Sequence, residues 1–502
     1  METLDLPILL TALVTLYYFF LLLHRKSKKL PPGPTSLPII GNLHQLRDLP
    51  HRRLHCLAKS YGPIMFLRLG NKPTVVVSSP EAAELVLKTH DNVFLGRPKG
   101  LVTHLLTYGD RGMAFTEGGA YWRSMRKLCA LQLLSPAKVE SYGPARREEL
   151  GRLVERVRAA AVAREVVDVS AEVGELMGNL SCRLILGRRS NSGNDELDLK
   201  PLIHEVLSLA GSFNLADYVP LLGPFDLQGL VRRAKVVHRA IDEVLEGVIR
   251  EHEQDMTGKY KGDLLDTILS VMDHPMTNNS QDKPDMLDRT SVKAIVLDLI
   301  SGSYESSSTV IDWTFSELMR SPRTRKRLQQ ELRTVVGMNR MVEESDLPKL
   351  SYLDMVIKET FRLYPPGPLL IPHEATEDIE INGYYIPKRT RIIVNAWALG
   401  RDIDAWANDV EEFKPERFAN SSVDLKGQDF QLIPFGSGRR GCPGMNLALI
   451  NTRLFLAQML HCFDWELPEG TSPSDLDMTE EVGLSLSKAK HLFLMPTYRL
   501  LV

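Results

Sequence analysis

One long stretch of helical apolar spacing, interrupted once by polar residues, is the feature that most constrains how this chain can fold. The spacing predicts a single long helix from about Ser291 to Met319. At its middle, the sequence "SGSYESSSTV" (residues 301–310) sets a polar patch around the carboxylate of Glu305. Serine and threonine hydroxyls can bond back to carbonyls one turn earlier, so the patch can be explained as a bend with Glu305 turned to water. The alternative is that the patch has a chemical function.

Composition places this helix within a large globular body. The chain has 502 residues, 43% hydrophobic and 25% charged, which is enough to bury one large core or two ordinary ones. A net charge of -2 without long runs of one sign gives no reason to expect a nucleic-acid partner. The cysteines are odd in number and widely spaced, which favours a reducing compartment over a disulfide framework: Cys56, Cys129, Cys182, Cys442 and Cys462.

The N-terminus predicts a membrane anchor at residues 1–23. Residues 7–23 are uncharged and almost wholly apolar, and a helix of about 17 residues rises ~25 Å, which suits the thinner endoplasmic reticulum membrane. Acidic residues precede this run and a basic cluster follows it, so the positive-inside rule leaves the rest of a single-pass protein in the cytosol. A cleaved signal peptide is the alternative, although no small-residue cleavage site follows.

The rest of the chain divides into a basic and proline-rich linker (24–38) and one globular domain (39–502). The prolines of "LPPGP" predict a stiff connection. Two β-rich segments, residues 64–80 and residues 379–395, each contain a turn, and Ser79 is placed to cap the helix that follows the first. Most of the sequence between them has helical spacing. The predicted fold class is mainly α, with a small β-rich subdomain assembled from distant segments.

The sequence "FGSGRRGCPG" (residues 435–444) contains a Gly-x-Gly-x-x-Gly match, but a dinucleotide loop needs a buried strand before it and a second strand after its helix. Pro434 interrupts the run before the loop, and no clear strand follows the helix from Gly444 to about His461. The glycines predict a tight turn that brings backbone amides and a helix N-terminus close to Cys442, and both favour the thiolate. Zinc fits poorly, because no second ligand lies at the required spacing. Of the other cysteines, three are expected to be small buried hydrophobes and Cys56 is left open: Cys129, Cys182 and Cys462.

The cysteine loop resembles the haem-ligand loop of the cytochrome P450 family, Phe-x-x-Gly-x-Arg-x-Cys-x-Gly. Its matching positions are Phe435, Gly438, Arg440, Cys442 and Gly444. Further family motifs follow in the right order: the proline-rich hinge, "WRSMRK" (122–127), the long central helix, "KETFRLYPP" (358–366) and "FKPERF" (413–418). In detail the chain is similar to plant microsomal enzymes of specialised metabolism. The resemblance implies the cytochrome P450 fold, with haem b between the long central helix and the helix after the cysteine loop.

The resemblance also implies roles for individual residues. Cys442 would be the axial thiolate of the haem iron, with Phe435 of the same loop against the cofactor. Trp122 and Arg126, four residues apart on one helix, would hold one haem propionate, and Arg440 the other. His373 stands where many relatives carry a propionate-binding arginine. A histidine can still donate a hydrogen bond there, although its charge depends on pH.

Three charged residues are implied to form a buried network beneath the haem. Glu359 and Arg362 lie three residues apart and would be neighbours on a helix, where Arg417 of "PERF" would join them. The same spacing occurs at Glu149 with Arg152 and at Glu317 with Arg320. Those two pairs, without the family context, are predicted to be surface pairs.

The polar patch aligns with the oxygen-activation segment of the family, Ala/Gly-Gly-x-Asp/Glu-Thr-Thr/Ser, through residues 302–307. Glu305 and Ser306 would then be catalytic and deliver protons where the helix opens beside the iron. Two departures matter, because Ser303 replaces the usual glycine and Ser306 the usual threonine. Serine keeps the hydroxyl and loses the methyl group that restricts the rotamer.

The implied function is a monooxygenase that uses O2, and electrons from NADPH through a membrane-bound cytochrome P450 reductase, to oxidise a small apolar plant metabolite. A basic face for the reductase would include Arg123, Lys127 and Arg439. A reductase-independent rearrangement enzyme and a non-catalytic haem protein are the alternatives. By family position the substrate pocket would be lined by residues 101–115, 207–223, 297–300, 369–371 and 484–486. Its apolar character favours a terpenoid or an aromatic compound.

Overall fold

The computed structural model describes residues 29–46, 49–190, 199–255, 258, 262–273, 287–407, 409–481 and 483–501. The predicted anchor and the first part of the linker, residues 1–28, lie outside these ranges. Among the helices that the structure describes, none is long and apolar enough to cross a membrane.

Helices make up most of the described chain. In chain order they are α1 (Pro50–Tyr61), α2 (Pro80–Glu84), α3 (Leu101–Leu106), α4 (Ala120–Leu128), α5 (Pro136–Ser141), α6 (Gly143–Ala163), α7 (Val169–Leu186), α8 (Leu199–Gly211), α9 (Leu215–Tyr218), α10 (Leu230–Glu253), α11 (Leu264–Asp273), α12 (Arg289–Arg320), α13 (Pro322–Val336), α14 (Ser351–Leu363), α15 (Ala396–Leu399), α16 (Ile403–Trp406) and α17 (Met445–Cys462). Short 3-10 helices include Pro415–Phe418 and Gly438–Arg440, and π-helical turns lie at Leu85–Thr89 and Cys129–Leu133.

The strands form small sheets built from distant parts of the chain. They are β1 (Ile64–Leu69), β2 (Lys72–Val77), β3 (Val167–Asp168), β4 (His373–Glu374), β5 (Ile379–Ile381), β6 (Tyr384–Ile386), β7 (Arg391–Val394), β8 (Phe463–Glu466) and β9 (Phe493–Tyr498). One sheet has the order β1-β2-β7-β4, another β3-β9-β8, and β5 pairs with β6. The parallel pairing of β2 with β7 joins the two β-rich segments that the sequence predicted, which confirms the predicted fold class.

The predicted central helix is α12, and it begins and ends close to the expected residues. The side chain of Asp288 caps its first turn by accepting a hydrogen bond from the backbone N–H of Ser291, and Pro322 follows shortly after its end. The first half of α12 packs in one hydrophobic core with α7 and α10, whereas the second half packs in another with α14 and α17. Residues 301–308 lie between these two cores. The polar patch therefore falls where the packing changes from one core to the other.

The globular body begins earlier than the sequence predicted. The carbonyl of Lys29 accepts a hydrogen bond of 2.8 Å from the backbone N–H of Tyr385, and the carbonyl of Pro32 accepts one of 2.8 Å from the N–H of Phe66. Residues 29–38 were expected to be part of the linker (24–38). Hydrogen bonds instead join them to the β-rich subdomain. An extended proline-rich segment has no apolar periodicity, but its carbonyls remain good hydrogen-bond acceptors.

Candidate active site

The cysteine loop presents Cys442 just before the first turn of α17. The N–H of Cys442 donates a hydrogen bond of 2.8 Å to the carbonyl of Phe435. Gly436 and Gly438 adopt φ values of 69° and 64°, in the left-handed region that glycine tolerates best. The thiol lies deep beneath the protein surface and is open to an internal cavity. The predicted tight turn is confirmed.

Two opposing effects act on the Cys442 thiol. Burial raises its pKa, while hydrogen bonds from the backbone amides of Gly444 and Met445 and the positive charge of Arg126 lower it. The amides lie where the sequence placed them. Burial outweighs them in the protein alone, so the predicted preference for the thiolate needs a further stabilising partner such as a metal ion.

The cavity beside Cys442 has a volume of about 400 Å³. Its lining includes residues of α12, α17, the cysteine loop and residues 113–115. Phe435 and Ala448 line it together with Cys442, and Leu297 and Gly302 line it from α12. Most of the lining side chains are apolar. The cavity thus lies between the central helix and the helix after the cysteine loop, where the resemblance places the haem.

Three guanidinium groups line this cavity without a carboxylate partner among the described residues: Arg97, Arg126 and Arg440. Arg440 lies 4.3 Å from the ring of Trp122 and donates to the carbonyls of Leu95 and Thr116 at 2.6 and 2.7 Å. The Arg126 side chain donates no hydrogen bond within the described chain. Three neighbouring cations without counter-charges fit a cofactor that carries two carboxylates, as the propionates of haem do.

Arg97 is a member of this group that sequence reasoning missed. Its side chain is buried and donates to the carbonyls of Ile371 and Pro372, each at 2.8 Å, and to that of Ala114 at 3.0 Å. Burial, together with the smaller effect of the Arg440 charge, lowers the pKa of Arg97 to about 9. No motif surrounds Arg97 in the sequence, so only the fold brings it to the cavity.

His373 reaches the cavity as predicted, but its hydrogen bonding limits the role given to it. Its Nδ1 lies 2.7 Å from the carbonyl of Phe94, which can only accept, so Nδ1 carries the proton. Burial, together with the smaller effect of the neighbouring Arg97 charge, lowers the pKa of His373 to about 3. In the protein alone the neutral ring therefore has Nε2 as an acceptor, and the ring would have to gain a proton before Nε2 could donate to a propionate. Arg97 is better suited to that contact.

The predicted charge network is present and deeply buried. Glu359 accepts hydrogen bonds from Arg362 at 2.7 and 2.9 Å and from Arg417 at 2.9 Å. The backbone N–H of Lys414 donates to the same carboxylate at 2.8 Å. Glu359 and Arg362 have fully buried side chains, and Arg417 is 9% exposed. The ring of Phe361, on the same helix, packs 5.1 Å from that of Phe435, which connects this network to the cysteine loop.

The two pairs that were predicted to lie on the surface differ from that expectation. Glu149 is buried and pairs with Arg183 at 3.0 Å and with Arg189 at 3.1 Å, not with Arg152. Glu317 does pair with Arg320, at 3.4 Å, but its carboxylate is 4% exposed and also accepts a hydrogen bond from Tyr364. Spacing along a helix identifies neighbours and does not reveal which side of the helix is covered by other elements.

The polar patch does not open the helix, because α12 continues as regular α-helix through residues 301–310. The predicted opening is therefore wrong. Ser306 donates to the carbonyl of Gly302 at 2.7 Å, and Ser308 to that of Tyr304 at 2.7 Å, which is the back-bonding that the simpler explanation expected. Ser306 lines the cavity, and Ser308 does not.

Glu305 lies beside the cavity without lining it. Its Oε2 is shut away from solvent and has no hydrogen-bond partner among the described residues, which the simpler explanation did not expect. Burial raises the pKa of Glu305, whereas His204 and the hydroxyls of Ser485 and Ser487 lower it in part. Of these two serines, Ser485 also lines the cavity. The sequence analysis placed residue 485 in the pocket but did not predict that it would interact with Glu305.

The expected pocket segments are confirmed in part. Each contributes at least one lining residue, and the contributors include Leu106, Phe115, Leu207, Leu297, Ile371 and Leu484. Residues 211–223 do not line the cavity, and Leu221 is 85% exposed. Arg123, Lys127 and Arg439 are exposed as predicted, although Arg439 also contacts Asp91 at 3.3 Å.

A cysteine thiol and three arginines without a described carboxylate partner, around one largely apolar cavity, fit a haem-thiolate protein. The family model described as Cytochrome P450 matches residues 31–495, and the chain belongs to the cytochrome P450 family. It is a cytochrome P450 monooxygenase. The family uses haem iron, O2, a redox partner and a small substrate.

Several similar curated proteins come from plants. The chain is 53% identical to Cytochrome P450 CYP736A12 of Panax ginseng over 477 residues, which cover 95% of each chain. It is 40% identical to desmethyl-deoxy-podophyllotoxin synthase of Sinopodophyllum hexandrum, over 99% of this chain and 98% of the relative. Premnaspirodiene oxygenase of Hyoscyamus muticus is 41% identical over 97% of this chain and 98% of its own. A zebra fish cytochrome P450 structure with abiraterone matches with a TM-score of 0.74 and 28% identity, over 90% of this chain and all of that one.

Proposed function

We propose that this chain is a reductase-dependent monooxygenase that oxidises a small apolar plant metabolite of terpenoid or aromatic type. The observation that carries the proposal is that one apolar cavity contains both the Cys442 thiol and the hydroxyl of Ser306. Haem bound through a cysteine thiolate activates molecular oxygen. Cys442 would hold the iron, and Arg97, Arg126 and Arg440 would bind the propionates.

The chain's own contribution to oxygen chemistry is the supply of protons. The Ser306 hydroxyl reaches the cavity and has lone pairs left to accept a proton while it donates to Gly302. Burial raises the pKa of Glu305, which favours a protonated carboxyl group that can donate. Ser485 both lines the cavity and lowers the pKa of that carboxyl group in part. We assign proton delivery to Glu305 and Ser306, with Ser485 as a connecting hydroxyl.

The substrate class follows from the cavity wall. Its lining is predominantly apolar, and apolar pockets with a few placed polar groups favour terpenoid and aromatic molecules over strongly charged ones. Two relatives, by name a premnaspirodiene oxygenase and a synthase of desmethyl-deoxy-podophyllotoxin, support oxidation of plant metabolites. Their names do not distinguish a terpenoid from an aromatic substrate for this chain.

Electrons would come from NADPH through a membrane-bound reductase. Exposed Arg123, Lys127 and Arg439 offer positive charge for an acidic flavin domain. Residues 1–23 would anchor the chain in the endoplasmic reticulum membrane, with residues 24–28 as the connection and the catalytic domain in the cytosol. A rearrangement enzyme that needs no reductase would have no use for a proton supply at Ser306.

The experiment that tests this function is reconstitution with a plant cytochrome P450 reductase and a panel of terpenoid and aromatic compounds. We expect at least one compound to stimulate NADPH consumption and to gain one oxygen atom, as seen by mass spectrometry. A rearranged product formed without NADPH would instead favour the rearrangement enzyme. Haem-loaded protein that oxidises no compound and shows no stimulated NADPH consumption would favour the non-catalytic haem protein.

Replacement of Ser306 by alanine is expected to uncouple electron transfer from oxidation. General acid–base groups typically contribute about 100-fold or more to a proton-transfer step, so product per NADPH should fall at least tenfold while hydrogen peroxide rises. Ser308→Ala is the matched control, because Ser308 makes the same bond to the preceding turn but does not line the cavity. Equal peroxide yields from the two variants would place the proton path elsewhere.

A further inference from the structure

Asp298 places a carboxyl group in an otherwise apolar part of the active-site cavity. It lies one turn before Gly302 on α12, deep in the protein, and its accessible surface faces the cavity. It is the only acidic side chain among the described residues that line this cavity. No described lysine, arginine or histidine forms an ion pair with it, and the groups that shift its pKa include no cation. A buried carboxyl group without a cation needs hydrogen-bond donors.

One oxygen of Asp298 is already used by the protein. Oδ2 accepts hydrogen bonds from the backbone N–H groups of Met113, at 2.5 Å, and Ala114, at 3.0 Å. A β-carbon at Gly112 would lie only 2.2 Å from Oδ2, so glycine allows this close approach. The carbonyl of Ala114 in turn accepts a hydrogen bond from Arg97 at 3.0 Å. Asp298 thereby fixes residues 112–114 over the cavity.

The other oxygen of Asp298 remains available. Oδ1 accepts no hydrogen bond from the described residues, and it is not among the polar atoms that are shut away from accessible space. Burial raises the pKa of Asp298, while the two backbone amides lower it. A hydroxyl group satisfies Oδ1 in either protonation state, because it donates to a carboxylate and accepts from a carboxylic acid.

We infer that Asp298 selects the substrate by binding a hydroxyl group, so that the molecule oxidised is an apolar alcohol or phenol and not a plain hydrocarbon. This inference rests on the proposed function. Asp298 and Gly302 are four residues apart on one helix, a rise of about 6 Å. The substrate is then held at its hydroxyl beside Asp298, and the carbon to be oxidised lies about one helical turn away, beside Gly302, whose carbonyl accepts the hydrogen bond from Ser306.

The test uses ligand binding to the haem-loaded full chain and needs no turnover. The probes are 4-phenylimidazole and its three hydroxyphenyl isomers, which bind haem iron through the imidazole and carry the hydroxyl at different positions. Optical titration of wild type should show at least one isomer binding about tenfold more tightly than the parent, as expected for one hydrogen bond to a buried carboxyl group. Asp298→Asn should retain much of this preference, and Asp298→Leu should lose it.

A second measurement distinguishes loss of hydroxyl binding at Asp298 from disruption of residues 112–114. Hydrogen exchange of the Met113 and Ala114 amides should be faster in Asp298→Leu and near wild type in Asp298→Asn, where an amide oxygen can still accept. The inference is overturned if no isomer surpasses the parent in wild type, or if Asp298→Leu keeps the preference. If the imidazoles bind the haem iron but no hydroxyphenyl isomer binds more tightly than 4-phenylimidazole, this inference is wrong and the proposed function is unaffected. A folded protein with no haem spectrum overturns the proposed function as well.

Discussion

Glu359→Ala is expected to yield protein with little haem and a markedly lower stability. The substitution removes the acceptor of four hydrogen bonds and leaves the fully buried Arg362 without its counter-charge. Breaking a buried ion pair by removing one partner costs about 3–5 kcal/mol, a large part of a total stability of roughly 5–15 kcal/mol. The network supports the cysteine loop through Phe361 and Phe435, so haem binding should suffer with it.

The measurement is haem per polypeptide together with the melting temperature. Glu84→Ala is the matched control, because Glu84 pairs with Lys88 at 2.7 Å but both side chains are about half exposed. Loss of that pair should change stability by about 0–1 kcal/mol and leave haem content unchanged. If Glu359→Ala behaved like the control, the network would not support the site.

Gly438→Ala is expected to displace the cysteine loop and abolish haem binding through the thiolate. Gly438 has φ of 64°, and a β-carbon there would lie 2.0 Å from the backbone carbonyl oxygen of Leu87. The left-handed conformation alone costs an alanine about 1–2 kcal/mol. The overlap with a backbone atom adds to this cost, because neither the loop nor the π-helical turn that contains Leu87 can move without breaking other contacts.

Gly470→Ala is the matched control that separates the cost of the left-handed conformation from the overlap with Leu87. Gly470 has a similarly positive φ of 83°, but a β-carbon there would meet no atom within 4 Å. This control should lose only the stability that the conformation costs and should keep its haem. Equal melting temperatures and equal haem content for the two variants would mean that the contact with Leu87 does not hold the loop.

Local sequence signals predicted the elements that present the site. Apolar periodicity located α12, and Ser79 caps α2 through the backbone N–H of Ala82, as its position before Pro80 indicated. The glycines around Cys442 predicted a tight turn before a helix, and the turn is present. These features depend on residues close together in the chain, so their physical causes can be read from short segments.

Contacts between distant segments could not be predicted in the same way. Asp298 and Ser485 were expected in the cavity only from the family resemblance, and Arg97 was missed, because only packing brings these distant residues together. The state of His373 depends on the carbonyl of Phe94, which is 279 residues away. The burial of Glu149 likewise follows from the elements that cover α6. Spacing in the sequence identifies helix neighbours and gives no information on such partners.

The most direct test of haem ligation by Cys442 is the carbon monoxide difference spectrum of the dithionite-reduced protein, recorded beside that of Cys442→Ser. We expect the long-wavelength Soret peak of a thiolate-ligated haem in wild type and its loss in the variant, with both proteins folded by circular dichroism. Folded wild type without this peak, or a Cys442→Ser protein that keeps it, would contradict the assignment of Cys442 as the haem ligand. The proposed roles of Glu305 and Ser306 would then lose their basis.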